Sequence, residues 1–272
     1  PRPHHRPSSR TELTPVLPER PPMPPRPRSA ALATTFAIAS RELASLFRLP
    51  VGWVVIALFT FLSAVLFTGQ ILEPGAPASL RYFFGPAVLL LIPVAPAISM
   101  RLLSEEFRSG TAELLRTSPV SDAAVVWGKY LGAVAFLLLM LCPTLAFPGV
   151  LWAFSDPRPH LGPIAAGYVA LGLVGALFLA VGTLCSCLTS SQTLAFLASL
   201  IVLVLLLIVT STQAASRVPP AVGDVLLALS VPLRVADFAR GIADVRHVVF
   251  FAASSAGLVT VAAGVLSVRR GA

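Results

Sequence analysis

Six apolar stretches dominate this sequence, and each is long enough to cross a lipid bilayer. They cover residues 51–72, 82–100, 130–154, 164–186, 193–211 and 248–268, and none contains Asp, Glu, Lys, Arg or His. About 20 apolar residues in a helix cross the hydrocarbon core, where backbone polar groups must be paired within the chain. Only 12% of the 272 residues are charged. The sequence therefore predicts an all-α integral membrane protein with six transmembrane helices.

Features within these stretches predict how the helices are interrupted and how they pack. The polar residues 189–192 predict a turn between the fourth and fifth helices. Small residues recur along the fourth, and they allow close approach of helix backbones. Either packing within the chain or a pathway or dimer face explains them. The prolines predict kinks in the second helix and in the third, at Pro86, Pro93, Pro96, Pro143 and Pro148.

The chain before the first apolar stretch divides into two parts. Residues 1–28 contain ten of the 25 prolines and six arginines, a composition that predicts a disordered tail. Residues 29–272 form the predicted six-helix transmembrane domain. Its first part, residues 31–48, has a helical apolar side that predicts an amphipathic helix in the membrane interface, ended at Pro50. That side comprises Phe36, Leu43, Leu46 and Phe47, with Arg41, Glu42 and Arg48 elsewhere.

The basic residues predict the orientation of the chain. Fourteen of the 20 Lys and Arg residues lie before the first helix, between the second and third, or after the sixth, and six lie in the other connections. Cytoplasmic segments of membrane proteins carry this excess, so both termini are predicted to be cytoplasmic. The net charge of +8 is thus assigned to membrane topology and lipid contact rather than to nucleic-acid binding. The external segment 212–247 is partly apolar, which predicts short helices.

Several classes of chemistry lack their usual residues. Ion-coupled transporters commonly place ionisable groups inside the membrane, and the apolar stretches contain none. Gly128-Lys129 is followed by Tyr130, so no phosphate-binding P-loop is formed, and the sequence has neither G-x-S-x-G nor H-E-x-x-H. The isolated His160 and His247 are interpreted as interfacial histidines. We therefore predict no catalytic residues, no metal and no cofactor.

The connection between the second and third helices has the clearest local pattern. Residues 101–108 are predicted to continue the second helix, and Gly110 suits a left-handed helix end. Thr111 can cap a second short helix with Glu113 in its first turn. Pro119 ends that helix, and Ser121-Asp122 caps the third spanning helix. Such a short helix suits docking into a groove on a soluble partner, and a plain solvated loop is the alternative.

Three segments carry a resemblance to a known family. The stretch 100–132 includes Glu-Glu-Phe-Arg-Ser-Gly-Thr-Ala-Glu-Leu-Leu at 105–115, followed by Pro119 and Gly128-Lys129. It resembles the inner loop of type-2 ABC exporter permeases, and is most similar to their gliding-motility-like branch. Ser-Arg-Glu-Leu at 40–43 and Phe-Ala-Arg-Gly-Ile-Ala-Asp at 238–244 resemble that branch in the segments before its first and last helices.

The resemblance implies a permease with six spanning helices and no ATPase domain. Its implied partners are separate ABC ATPase subunits and a second permease, either an identical copy or a related chain. Coupling to the ATPase is implied for the residues of the loop, which are Glu105, Glu106, Phe107, Arg108, Gly110, Thr111, Glu113 and Leu114. The interfacial helix beside them is implied to contribute Arg41, Glu42 and Phe47.

The expected function is therefore the membrane subunit of an ATP-driven exporter in the bacterial cytoplasmic membrane. Such a subunit is not an enzyme, because the partner hydrolyses the ATP. The alternative is a multi-pass scaffold that recruits a cytoplasmic protein through the same loop and transports nothing. A neighbouring reading frame that encodes an ABC ATPase would favour the exporter.

Overall fold

The computed structural model describes residues 28–71, 79–108 and 121–271, which are helical and contain no strand. The predicted tail, residues 1–28, lies outside the described residues apart from Arg28. The helices, numbered in chain order, are α1 Arg28–Arg48, α2 Pro50–Ile71, α3 Arg81–Ser99, α4 Ser104–Arg108, α5 Asp122–Leu141, α6 Ala146–Phe154, α7 Leu161–Leu188, α8 Gln192–Val209, α9 Thr212–Ala215, α10 Pro220–Ala228, α11 Val231–Ala239 and α12 Val245–Gly271.

Six helical segments have the length and apolar composition needed to cross a membrane, which confirms the predicted fold class. They are α2, α3, the segment Asp122–Phe154, α7, α8 and Val245–Arg269 within α12. The third differs most from its prediction, because it begins eight residues earlier and includes Lys129 within the helix. Ser121 caps it as predicted, since its Oγ accepts a 3.3 Å hydrogen bond from the amide of Ala124.

The prolines affect two spanning helices differently. The third segment changes from α to 3₁₀ geometry over Cys142–Leu145, around Pro143, and then continues as α6. In contrast, α3 remains one α-helix although it contains Pro86, Pro93 and Pro96. The turn predicted between the fourth and fifth helices lies between Leu188 and Gln192, where the Ser191 Oγ caps α8.

Helix α7 lies at the centre of the bundle and packs against α3, α5, α8, α11 and α12. Within an 18-residue apolar segment of α7, 67% of the residues are buried, whereas the corresponding share in α8 is 17%. A methyl group added at Gly167 would lie 2.1 Å from the Phe84 ring, and one at Gly175 would lie 2.4 Å from Leu137. The small residues of α7 therefore serve close packing within the chain, against α3 and α5.

Helix α1 packs along the first half of α5. A Cβ at Gly128 would lie 2.7 Å from Ile38 Cβ, and one at Gly132 would lie 2.7 Å from the Ala39 carbonyl oxygen. This Gly-x-x-x-Gly spacing lets the two backbones approach closely. The predicted apolar side of α1 has two kinds of surroundings, because Leu46 is buried whereas Phe36 is 66% exposed.

Three short helices connect α8 to α12, as the sequence predicted for this segment. They are α9, α10 and α11, and Gly241, with φ of 87°, ends α11. Helix α11 packs against α3 and α7. Phe238 is fully buried there, so this segment belongs to the folded bundle rather than to a solvated loop.

Candidate functional site

A cluster that we call the polar joint connects four segments of the chain at one end of the bundle. It comprises Glu42, Lys129, Ser186 and the backbone of residues 100–104. The Lys129 Nζ lies 3.5 Å from Glu42 Oε2 and donates a 2.6 Å hydrogen bond to the carbonyl oxygen of Leu102. One ammonium group therefore links α1, α5 and the chain that leaves α3.

Burial makes these contacts necessary. The Lys129 side chain is 9% exposed and that of Glu42 is 14% exposed. An ammonium or carboxylate removed from water must be paired and hydrogen-bonded, because its desolvation costs several kcal/mol. Lys129 reaches Glu42 because Gly128 and Gly132 bring α1 against α5.

Ser186, near the end of α7, holds the other side of the joint. Its Oγ accepts hydrogen bonds of 3.1 and 3.0 Å from the amides of Leu103 and Ser104, and it donates to the carbonyl oxygen of Met100 at 3.1 Å. These two amides bond to Ser186 instead of continuing the i to i−4 hydrogen bonds of α3. The predicted helical continuation over 101–108 is therefore wrong in part, because turns at 101–103 separate α3 from α4.

The last turns of α12 approach the same region. The Arg269 guanidinium lies over the Phe107 ring, with Cζ 5.3 Å from the ring centroid, and it also donates to the carbonyl oxygen of Leu188 at the end of α7. A cation above an aromatic face is stabilised by the ring quadrupole. Helix α4 is thus bordered by residues from the ends of α7 and α12.

The corner between α1 and α2 positions Phe47. The Trp53 indole N–H donates a 3.0 Å hydrogen bond to the Phe47 carbonyl oxygen, which has no helical partner at the end of α1. The Phe47 ring lies 5.5 Å from the Trp53 ring and 5.3 Å from that of Phe136 on α5. At Gly52 a Cβ would lie 2.1 Å from the Leu46 carbonyl oxygen, so the corner requires glycine there.

The structure places the predicted site residues in different surroundings. Glu42 belongs to the polar joint, although the sequence placed it away from the apolar side of this helix. Arg41 is exposed on α1, and Glu105 is exposed on α4. Glu106 and Arg108 lie in α4, but their side chains are outside the described residues. The other predicted coupling residues, Gly110, Thr111, Glu113 and Leu114, also lie outside the described residues.

Two residues of the joint were not among the predicted site residues. Lys129 is the single lysine of the chain and lies between two glycines spaced four apart, which is a detectable signal. Ser186 carries no such signal, since it is one of several serines in apolar surroundings. Within the described residues, no group of three or more His, Cys, Asp and Glu side chains could hold a metal ion.

Comparison with known families agrees with this architecture. Residues 71–223 match the family described as ABC-2 family transporter protein, a match that covers more than half of the chain, from the end of α2 into α10. No curated protein matches the sequence. Proteins of this family are the permease components of ABC transporters and are not themselves catalytic. The chain therefore belongs to the ABC-2 transporter family and is a multi-pass membrane permease.

Proposed function

We propose that this chain is the membrane subunit of an ATP-driven exporter and that the polar joint transmits motion from a separate ATPase to the spanning helices. Members of the family generally work with an ABC ATPase subunit and often dimerise. A second copy or a related permease would complete the unit. We place the chain in the bacterial cytoplasmic membrane with both termini inside, and in the gliding-motility-like branch.

The polar joint is the observation that carries this proposal. Residues 101–108 and 121–129 border the loop that resembles a coupling segment, and both are fixed by the joint. Lys129 holds the Leu102 carbonyl oxygen, and Ser186 holds the next two amides. A displacement of the loop would therefore reach α3, α5 and α7 together, because packed helices move as units rather than deform continuously.

Helix α1 completes the proposed route. Glu42 connects it to Lys129 by an ion pair, and the Gly-x-x-x-Gly face of α5 keeps the two backbones in contact. Through the Phe47–Trp53 corner α1 is also attached to α2. Arg41 and Glu105 are exposed. We propose that they form the ATPase-facing surface together with residues 106–114.

The proposal is tested by purifying the tagged protein from solubilised membranes and identifying what accompanies it by mass spectrometry. We expect a stoichiometric subunit that carries a Walker A motif and an ABC signature. With the variant Glu106→Lys, the amount of this subunit that copurifies is expected to fall at least tenfold, because the charge at the proposed contact is reversed. Asp224→Lys is the matched control, because Asp224 is exposed on α10, away from the joint.

Two results would count against the proposal. If Glu106→Lys and Asp224→Lys retain the ATPase equally and support equal ATP hydrolysis, the loop does not couple. If no ABC ATPase accompanies the wild-type protein under conditions that preserve a known transporter complex, the scaffold function becomes the better explanation.

A further inference from the structure

A cavity of about 430 Å³ lies between α3, α8 and α11, at the end of the bundle opposite the polar joint. Its walls are apolar and include Val88 on α3, Leu207 on α8 and Val235 on α11. Arg81 and Tyr82, in the first turn of α3, line the end that we call its mouth, and both side chains are exposed. Arg81 is the single charged side chain among the described residues that line the cavity.

We propose that this cavity binds one acyl chain of an anionic phospholipid, with the lipid phosphate paired to Arg81. The proposal concerns lipid binding by the permease itself and does not depend on coupling to an ATPase. Its occupant is selected by two properties of the cavity, namely its depth along α3 and the position of its charge.

The depth of the cavity matches one membrane leaflet. Along α3 the lining runs from Arg81 to Leu89. Eight residues of α-helix rise about 12 Å, and half of the hydrocarbon core is about 15 Å thick. Arg81 begins a spanning helix and so lies at the membrane interface, where arginine side chains reach toward headgroups. A lipid with its phosphate at Arg81 would place its acyl chain along Val88 and Leu89.

The charge at the mouth favours a phosphate. A guanidinium presents several N–H donors in a planar fork that matches phosphate oxygens, and such charge-assisted hydrogen bonds are stronger than neutral ones. The neighbouring Tyr82 is 62% exposed and offers an amphipathic ring of the kind that is enriched at membrane interfaces. Phosphatidylcholine also carries a phosphate, but its trimethylammonium group makes the headgroup neutral and places a second cation near Arg81. An anionic headgroup is therefore favoured over a zwitterionic one.

The α11 wall is held in place by a polar cluster on the other face of that helix. The Arg234 guanidinium donates to His247 Nδ1 at 2.6 Å and to the Ala228 carbonyl oxygen at 2.5 Å, and its Cζ lies 3.9 Å from the centre of the Phe250 ring. Because Arg234 only donates, His247 accepts at Nδ1 and its Nε2–H faces Asp237 Oδ2 at 3.3 Å. His247 is therefore not the isolated histidine that the sequence suggested.

Electrostatics in this cluster keep α11 attached to α12. Desolvation by burial lowers the pKa of Arg234, while the nearby carboxylates of Asp237 and Asp244 raise it. The guanidinium stays charged, since arginine is not deprotonated in proteins. Val235 and Ala239, on the opposite face of α11, line the cavity.

The test is native mass spectrometry of the purified full chain in neutral detergent, titrated with phosphatidylglycerol and phosphatidylcholine of identical acyl chains. The wild-type protein should retain one phosphatidylglycerol with roughly three- to tenfold higher affinity than phosphatidylcholine, a difference of at most about 1.4 kcal/mol. Arg81→Gln should remove this preference. Arg217→Gln, which removes an exposed arginine outside the cavity lining, should keep it.

A second variant tests the cavity itself without disturbing the fold. A Cβ at Gly85 meets no atom within 4 Å, so Gly85→Leu projects into open space along the lining and introduces no backbone clash. It should weaken retention of both lipids by at least fivefold while the unfolding midpoint is unchanged or raised. Equal lipid binding by wild type, Arg81→Gln and Gly85→Leu would overturn the proposal. Absence of retained lipid, with a wild-type dimer that Gly85→Leu dissociates, would instead assign the cavity to a second copy.

Discussion

Replacing Lys129 with methionine tests whether the polar joint holds the structure together. Methionine keeps most of the apolar side chain but removes the ammonium, which leaves Glu42 unpaired and the Leu102 carbonyl oxygen without this donor. Removing one partner of a buried ion pair costs roughly 3–5 kcal/mol. Because Glu42 retains 14% exposure, water can solvate part of its charge. We therefore expect Lys129→Met to lower the free energy of unfolding by about 2–3 kcal/mol.

A double-mutant cycle separates the ion pair from the rest of the site. Glu42→Gln removes the carboxylate charge and should also destabilise, whereas Glu42→Gln with Lys129→Met should cost less than the two single losses combined. We expect a coupling energy of about 1–3 kcal/mol for residues in direct contact. The assay is equilibrium unfolding in mixed micelles, with the helical circular dichroism signal followed against the mole fraction of sodium dodecyl sulfate.

Arg240→Gln is the control for the loss of an exposed ion pair. The Arg240 Nη1 lies 3.9 Å from Asp237 Oδ1, and the two side chains are 52% and 36% exposed, respectively. Exposed pairs contribute about 0.2–1 kcal/mol, so this variant should change stability little. If Lys129→Met destabilises no more than Arg240→Gln, or if the cycle is additive, the joint does not hold α1 to α5 by charge.

Two further predictions concern neighbouring contacts. Gly132→Ala should destabilise by about 1–3 kcal/mol, because its Cβ would overlap the α1 backbone. Gly264→Ala on α12, where a Cβ meets nothing within 4 Å, should be neutral or stabilising in the same unfolding assay; equal effects would argue against the close α1–α5 contact. Ser186→Ala should increase hydrogen exchange at the amides of Leu103 and Ser104 at least tenfold, a loss of about 1.4 kcal/mol of protection. Unchanged exchange at both amides would show that Ser186 does not hold this segment.

Patterns along the chain were sufficient to predict most of the fold. Continuous apolar stretches of about 20 residues indicate spanning helices, which pair their own backbone groups inside the bilayer. The strands of a membrane barrel are about half as long and alternate between apolar and polar residues. Local signals also placed the cap at Ser121, the turn between Leu188 and Gln192, and the helix break at Pro143. Each of these depends on residues within a few positions of one another.

The candidate site could be predicted only in part. The sequence placed Glu42 away from the apolar side of α1 and gave no sign that it would be buried against α5. The contact with Lys129 joins residues 87 positions apart, and Ser186 reaches Leu103 across 83. The spacing of apolar residues along one helix shows which side of it is apolar. It does not show which distant helix packs against that side.

The sequence by itself determined that this chain is a six-helix membrane protein. Its apolar stretches are continuous and about 20 residues long, and in the bilayer such a stretch pairs its backbone groups by forming a helix. It also identified the family, through the local pattern of the connecting loop. Only the tertiary structure decided that a single lysine joins α1, α5 and the end of α3, and that α3, α8 and α11 enclose a cavity with Arg81 at its mouth. Both arise from helix packing, which places residues distant in sequence within a few ångströms and so decides which charges are paired and which apolar surfaces stay open.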